Sequence, residues 1–321
     1  MEYSLIAVIF LGGVILIVKG GDWFVDAASW IAEVSGIPKQ IVGATIVSLA
    51  TTLPEMLVSA MAALQGKTDM AVGNAVGSVT ANLGLIMAVS VICMPVRIRR
   101  GDYLLKSILM LLAAGLVAAG GRAGAVGLGH SALLLAVFAL FLFENLRCAY
   151  RSLRCGGAGD MSIFRPAPRK REIALQCVKF TAGAAAVLVG ADLLVDSGSA
   201  LARLAGVSER MIGVTIVAVG TSLPELVTTV TAIAKRQSAL SIGNILGANI
   251  LDLTLILPLS ALVSGQALPI SAVSAAVDLP ACLLVGIIAV VPAMLSARFQ
   301  RWQGAVMLAV YGAYLVLTCT A

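Results

Sequence analysis

Charge is scarce in this sequence. Only 12% of its 321 residues are Asp, Glu, Lys or Arg, about half the roughly 25% of a soluble domain. No aqueous fold could shelter the 60% that are hydrophobic, and a mean hydropathy of +1.02 points to a bilayer as the solvent. Histidine is nearly missing: His130, near a predicted helix end, is the single one and reads as an interfacial residue. Six cysteines, Cys93, Cys148, Cys155, Cys177, Cys282 and Cys319, are scattered without metal-ligand spacing. Cys148 and Cys155 fall in a predicted cytoplasmic loop, where a disulfide is not expected. There is no Gly-x-Ser-x-Gly and no His-Glu-x-x-His. These absences argue against zinc and copper sites and against a membrane-embedded hydrolase.

What is present is a series of apolar stretches, near 4–18, 41–64, 71–94, 104–120, 126–146, 174–194, 212–234, 239–262, 272–294 and 303–319. Each approaches the roughly 20 residues that cross about 30 Å of hydrocarbon. With the N terminus outside and ten alternating helices, only Lys67, Arg122, Arg203 and Arg210 of the 22 Lys and Arg lie outside; the other 18 lie on the cytoplasmic side. That asymmetry follows the positive-inside rule and places both termini outside. It also accounts for the net charge of +6 and the basic run in 147–171, with no need for nucleic acid. The first segment begins Met-Glu-Tyr-Ser, without a basic leader, and reads as a retained helix.

The chain repeats itself. Residues 43–55, GATIVSLATTLPE, match 213–225, GVTIVAVGTSLPE, at an offset of 170. The register extends without a gap: Gly20, Asp22, Val25, Asp26 and Gly36 face Gly190, Asp192, Val195, Asp196 and Gly206, and Gly73, Asn74 and Gly77 face Gly243, Asn244 and Gly247. Five spans per copy is an odd number, so the second copy enters the membrane from the opposite side. The expected fold is therefore an all-α integral membrane protein of ten transmembrane helices in two inverted five-helix repeats. Residues 1–146 form the first, 173–321 the second, and 147–172 a polar cytoplasmic linker. In such architectures a binding site is expected near the midplane, where helices are interrupted.

Glu55 and Glu225 fall inside the second and seventh segments. A carboxylate at that depth is costly and marks a pathway or a paired site. Pro54 and Pro224 precede them, each deleting a backbone donor, which is expected to free carbonyls around Ser48 and Ala218. Thr51, Thr52, Glu55 and Ser59 share one helix face, as do Thr221, Ser222, Glu225 and Thr229. A second cluster reads GNAVGSVTANL and GNILGANILDL. It places Ser78 and Asn82 on one face, with Asp252 answering Asn82. Its glycine pairs, Gly73/Gly77 and Gly243/Gly247, are expected to pack helices closely; Asn74 and Asn244 either line the site or bridge the helix break. Asp22, Asp26, Asp192 and Asp196 read as interfacial residues at span ends, and Asp278 and Glu144 have no repeat partner. All the candidate ligands are hard oxygen donors, suited to Ca²⁺ and Na⁺. Two ionised glutamates balance one divalent cation or two monovalent ones, a basis for exchange. A cation/proton antiporter is the alternative; a channel is less in keeping with an inverted repeat.

These blocks, over both halves of the chain, resemble the calcium/cation antiporter superfamily, in particular bacterial and archaeal sodium/calcium exchangers. The resemblance implies that Thr51, Glu55, Thr221 and Glu225 bind Ca²⁺. It implies that Asn82 and Asp252 form a central pair, and that the Ser48 and Ala218 carbonyls with Ser78 serve sodium sites, Thr52 and Ser222 standing beside them. It further implies that the first and sixth helices slide across the rest. Val79 and Ala248 depart from the family's Gly-Ser-Asn pattern and put the sodium sites in question; Asp252 leaves potassium co-transport or proton coupling open. The implied function is antiport of Ca²⁺ against Na⁺ across the cytoplasmic (inner) membrane, with inorganic cations and the bilayer as partners, no cofactor, no enzymatic activity and no obligatory protein partner.

Overall fold

The structure is a computed structural model that describes residues 2–95, 97–98, 100–154, 169–204, 220 and 222–320. Within a bilayer a backbone must satisfy its own hydrogen bonds, and the described chain is accordingly almost all helix. In order these are α1 (Glu2–Ser35), α2 (Lys39–Leu64), α3 (Thr68–Cys93), α4 (Arg100–Arg122), α5 (Leu128–Arg154), α6 (Lys170–Leu204), α7 (Leu223–Ala234), α8 (Ser238–Ser264), α9 (Ser274–Ser296) and α10 (Arg301–Thr320). Eight are long and apolar enough to cross a membrane; α7 is a shorter apolar helix. Two short strands, β1 (Ala125–Val126) and β2 (Leu268–Pro269), pair antiparallel between loops of the two halves.

Two helices are much longer than their apolar runs. The run expected at 4–18 belongs to a helix that continues to Ser35, and the run at 174–194 to one that spans Lys170–Leu204. Lys19 ends the hydropathy signal without ending the backbone ladder. Asp22, Asp26, Asp192 and Asp196 therefore lie within helices rather than at helix ends. The segment expected at 212–234 is described from Leu223 onward, with Gly220 and Ser222 before it.

The longest helices, α1 and α6, lie against each other along paired glycines. A methyl added to Gly20 would stand 2.9 Å from the Gly183 carbonyl oxygen, and one on Gly183 2.8 Å from that of Gly20. Gly190 and Gly13 meet likewise, at 2.9 and 3.1 Å. Gly13 and Gly183, and Gly20 and Gly190, are each 170 residues apart. Each glycine thus touches the repeat counterpart of its partner in the other pair, as in an antiparallel pair around a local two-fold.

The apolar core gathers α3, α4, α8 and α9. Leu246, Ile250, Leu253 and Leu257 of α8 have no exposed surface, and Val285 and Ala289 of α9 pack into the same cluster. By contrast Leu5, Val8, Leu11, Ile15 and Val18 of α1 are each more than half exposed, a face suited to lipid. Among the described residues, four helices carry one widened π-type turn each: Gly43–Val47 in α2, Asn82–Met87 in α3, Asp252–Ile256 in α8 and Ser274–Asp278 in α9. Such turns recur at functional sites.

Candidate cation-binding site

The site begins where α2 crosses α8. Gly43 has no room for a side chain against the Leu240 carbonyl, nor Gly243 against that of Gln40. A methyl on Gly247 would come within 2.5 Å of both the Ala44 carbonyl oxygen and Ser48 Oγ. The backbones therefore nearly touch, which bears out close packing for Gly243 and Gly247. Gly73 and Gly77 differ: no heavy atom lies within 4 Å of a methyl built on either.

This approach brings the two halves' polar faces together. Thr51 Oγ1 lies 3.4 Å from Asn244 Oδ1 and donates within that range, while also sitting 3.3 Å from the Val47 and Ser48 carbonyl oxygens. Thr52 Oγ1 donates to Glu225 Oε1 at 3.3 Å, across the halves. Asn74 Nδ2 donates to the Glu55 carbonyl at 3.2 Å and to Ser59 Oγ at 2.9 Å. Asn244 Nδ2 donates to Thr228 Oγ1 at 3.0 Å, and that hydroxyl in turn reaches the Glu225 carbonyl at 3.1 Å. Both asparagines therefore brace the Pro-Glu segments. Thr228, which the sequence reading passed over for Thr229, is part of the second brace; its i+3 spacing from Glu225 was the available signal.

Glu55, Glu225, Asp252 and Asn82 are each 1% exposed. Among the described residues, both carboxyl oxygens of Glu55, both of Asp252, Glu225 Oε2, Asn82 Oδ1, Ser222 Oγ and Thr229 Oγ1 are buried without a hydrogen-bond partner. Glu55 lies within the electrostatic field of Glu225 and Asp252. Buried, unpartnered carboxyl oxygens cost several kcal/mol each, and native folds keep them where a ligand or proton satisfies them. Asn82 and Asp252, repeat counterparts, each open a π-type turn. No three His, Cys, Asp or Glu among the described residues form a metal-holding group by themselves, so a cation here would draw on hydroxyl, amide and carbonyl oxygens too.

Of the other candidates, Ser48 belongs to the same crossing. Ser48 is buried, with its hydroxyl 3.3 Å from the Thr45 carbonyl oxygen. Ser78 lines a separate cavity of about 240 Å³, beside Asn74, Asp278 and Tyr311. Pro54 removes the donor that would bond the Ala50 carbonyl, four residues back, so the freed carbonyl is not that of Ser48. Asn249, at the position of Val79 in the first copy, reaches Met110 Sδ on α4 at 3.7 Å. Ala218 and Thr221 lie outside the described residues. A second cavity, about 220 Å³, is lined by Pro54, Pro224, Asp192 and Asp196.

A helical, multi-pass membrane fold that buries a cluster of oxygen ligands defines an ion-handling membrane protein. The family described as sodium/calcium exchanger protein matches residues 5–146 and 176–320. The chain belongs to that family, a family of transporters and not of enzymes. It is 29% identical over 357 residues to the sodium/calcium exchanger MaX1 of Methanosarcina acetivorans, covering 96% of this chain and 97% of that one. It is 32% identical over 255 residues to the inner membrane protein YrbG of Escherichia coli, covering 78% of each. A solved structure of the sodium-calcium exchanger NCX_Mj superposes with a TM-score of 0.77 at 29% identity, covering 98% of this chain and 99% of the other.

Proposed function

We propose that the protein is a secondary antiporter that exchanges Ca²⁺ for Na⁺ by alternating access, with Glu55 and Glu225 as the central ligands. The observation that carries this reading is the pair of buried, repeat-related glutamates whose free oxygens face a hydroxyl- and amide-lined junction between the halves. Thr51, Thr221 and the two glutamates take the divalent ion. Asn82 and Asp252 hold the centre; Ser48, Thr52, Ser78, Ala218 and Ser222 serve monovalent ions. The charges of the two glutamates match one Ca²⁺ or two Na⁺, so either load balances the glutamate pair and an empty pair is the costly state.

The reading extends to architecture. Ten membrane crossings form two inverted five-helix units, 1–146 and 173–321, joined by 147–172, in the cytoplasmic (inner) membrane with both termini outside. The reciprocal glycine contacts of α1 and α6 support the inversion, and the Lys and Arg distribution supports the orientation. Inorganic cations and the bilayer are the partners; no cofactor and no obligatory protein partner take part.

The test is flux. Proteoliposomes loaded with Na⁺ and diluted into Na⁺-free buffer should take up labelled Ca²⁺, and Glu55→Gln should abolish the uptake. Uptake driven by a pH gradient and not by Na⁺ would replace this reading with cation/proton exchange.

A further inference from the structure

The repeat places the same acidic pair on both long helices, Asp22 and Asp26 on α1 and Asp192 and Asp196 on α6. Their surroundings differ. Lys235, in the turn between α7 and α8, extends its ammonium to Asp26 Oδ1 at 2.8 Å and Asp22 Oδ1 at 3.2 Å, and donates to the Asp22 carbonyl at 3.1 Å. The turn is tight: Arg236 takes a left-handed φ of 57°. Beside it Lys39 joins Glu33 at 2.9 Å and Gln237 at 2.8 Å, so the same turn is tied to α1 and to the start of α2. Asp192 and Asp196 make no ion pair among the described residues and line the cavity that reaches Pro54 and Pro224. The residue 170 positions before Lys235 is Gln65, which is uncharged. Among the described residues, the α1 pair is clasped and the α6 pair is not.

We propose that Lys235 is a conformation-setting residue: its clasp on Asp22 and Asp26 holds α1 against the α7–α8 turn in one access state and is broken in the other. The clasp thereby sets the balance between the two states, and among the described residues Asp192 and Asp196 have no matching ammonium. The proposal rests on the alternating-access reading. Both helices held by the turn carry site residues, Glu225 on α7 and Asp252 on α8, so the clasp joins a mobile helix directly to the binding machinery. Exposed ion pairs are individually weak, which suits a restraint that must open in every cycle.

The test uses the full chain in detergent or nanodiscs with no ion gradient. Hydrogen–deuterium exchange is followed over residues 15–36 and 233–241 in wild type, Lys235→Met, Lys235→Arg and Asp26→Asn. Exchange of the α1 segment should quicken about fivefold in Lys235→Met, less in Asp26→Asn, and return to wild type in Lys235→Arg. The number of Ca²⁺ ions bound per protein should stay unchanged, separating a shifted equilibrium from misfolding. In vesicles, the Ca²⁺ half-saturation on the Lys235 side should fall by a similar factor, because the state open to that side is more populated. Wild-type exchange rates in Lys235→Met overturn the proposal. If Lys235→Met loses its Ca²⁺ capacity, Asp26→Asn decides by the same readout. A wild-type protein that moves no Ca²⁺ under a Na⁺ gradient defeats the functional reading instead, and leaves the exchange data to judge the clasp.

Discussion

In α2 the Leu-Pro-Glu motif sits inside one continuous helix, whereas in α7 the same three residues open the described helix, with Ser222 at the cap. Pro54 is an interior proline that costs a backbone bond. Pro224 stands in the first turn, where a proline has no helical bond to lose. The carboxyls differ too: among the described residues neither oxygen of Glu55 has a hydrogen-bond partner, while Glu225 Oε1 accepts from Thr52. A repeat carries the residue types from one half to the other. It does not carry their hydrogen bonding, because each copy meets the opposite half's side chains.

That contrast can be broken most sharply at the glutamates. Glu55→Gln and Glu225→Gln should each lower Na⁺-driven Ca²⁺ uptake about 100-fold or more, since losing one charge from a buried, coupled set costs about 3 kcal/mol. Intact flux in either variant would show that the two halves do not share one site. The prolines should respond with opposite signs. Pro54→Ala restores a helical bond and should stabilise the purified protein by as much as about 3 kcal/mol, seen as a raised Tm. Pro224→Ala frees the unfolded chain and should cost about 0.5 kcal/mol. Equal shifts would mean that the two motifs sit alike. Thr52→Val should weaken Ca²⁺ binding about tenfold by equilibrium binding of labelled Ca²⁺, the size of a hydrogen bond to a charged group. Its counterpart Ser222→Ala, whose hydroxyl has no partner among the described residues, should change binding by less than about twofold.

The smallest expected effect concerns pH at the clasp. Burial lowers the Lys235 pKa, but its bonds to Asp26 and Asp22 outweigh that and leave it above the ordinary 10.5. A raised folded-state value means the ammonium's contribution is complete below the ordinary pKa and is lost only as pH climbs through the higher one. Protection of α1, corrected for intrinsic exchange, should therefore be flat between about pH 6 and 9. A decline within that window would show that another group holds α1.

Much of this was legible from residue order. Spacing alone put Thr51, Thr52 and Glu55 on one face, and the 170-residue register paired Asn82 with Asp252, which both prove to open π-type turns. What spacing could not supply was tertiary. The motif names Asn74 and Asn244 but not whether an amide faces a site or a backbone; Glu55 and Thr228 decide that by proximity. Hydropathy ended α1 at Lys19, because it measures side-chain transfer and is blind to tertiary partners such as Lys235. Nor could spacing show that Ser78 lines a cavity with Asp278, a residue from the other half.

The glycine contacts between α1 and α6 have a mechanical consequence. Where side chains separate two helices, changes of rotamer can absorb relative movement. At Gly13, Gly20, Gly183 and Gly190 backbone comes against backbone, with little room for rotamer changes between. The two rods then behave as a single stiff slat, and a force applied at one end of α1 is felt along α6. A load on Asp22 and Asp26 at one rim thus reaches Asp192 and Asp196 at the other without any relay of side chains.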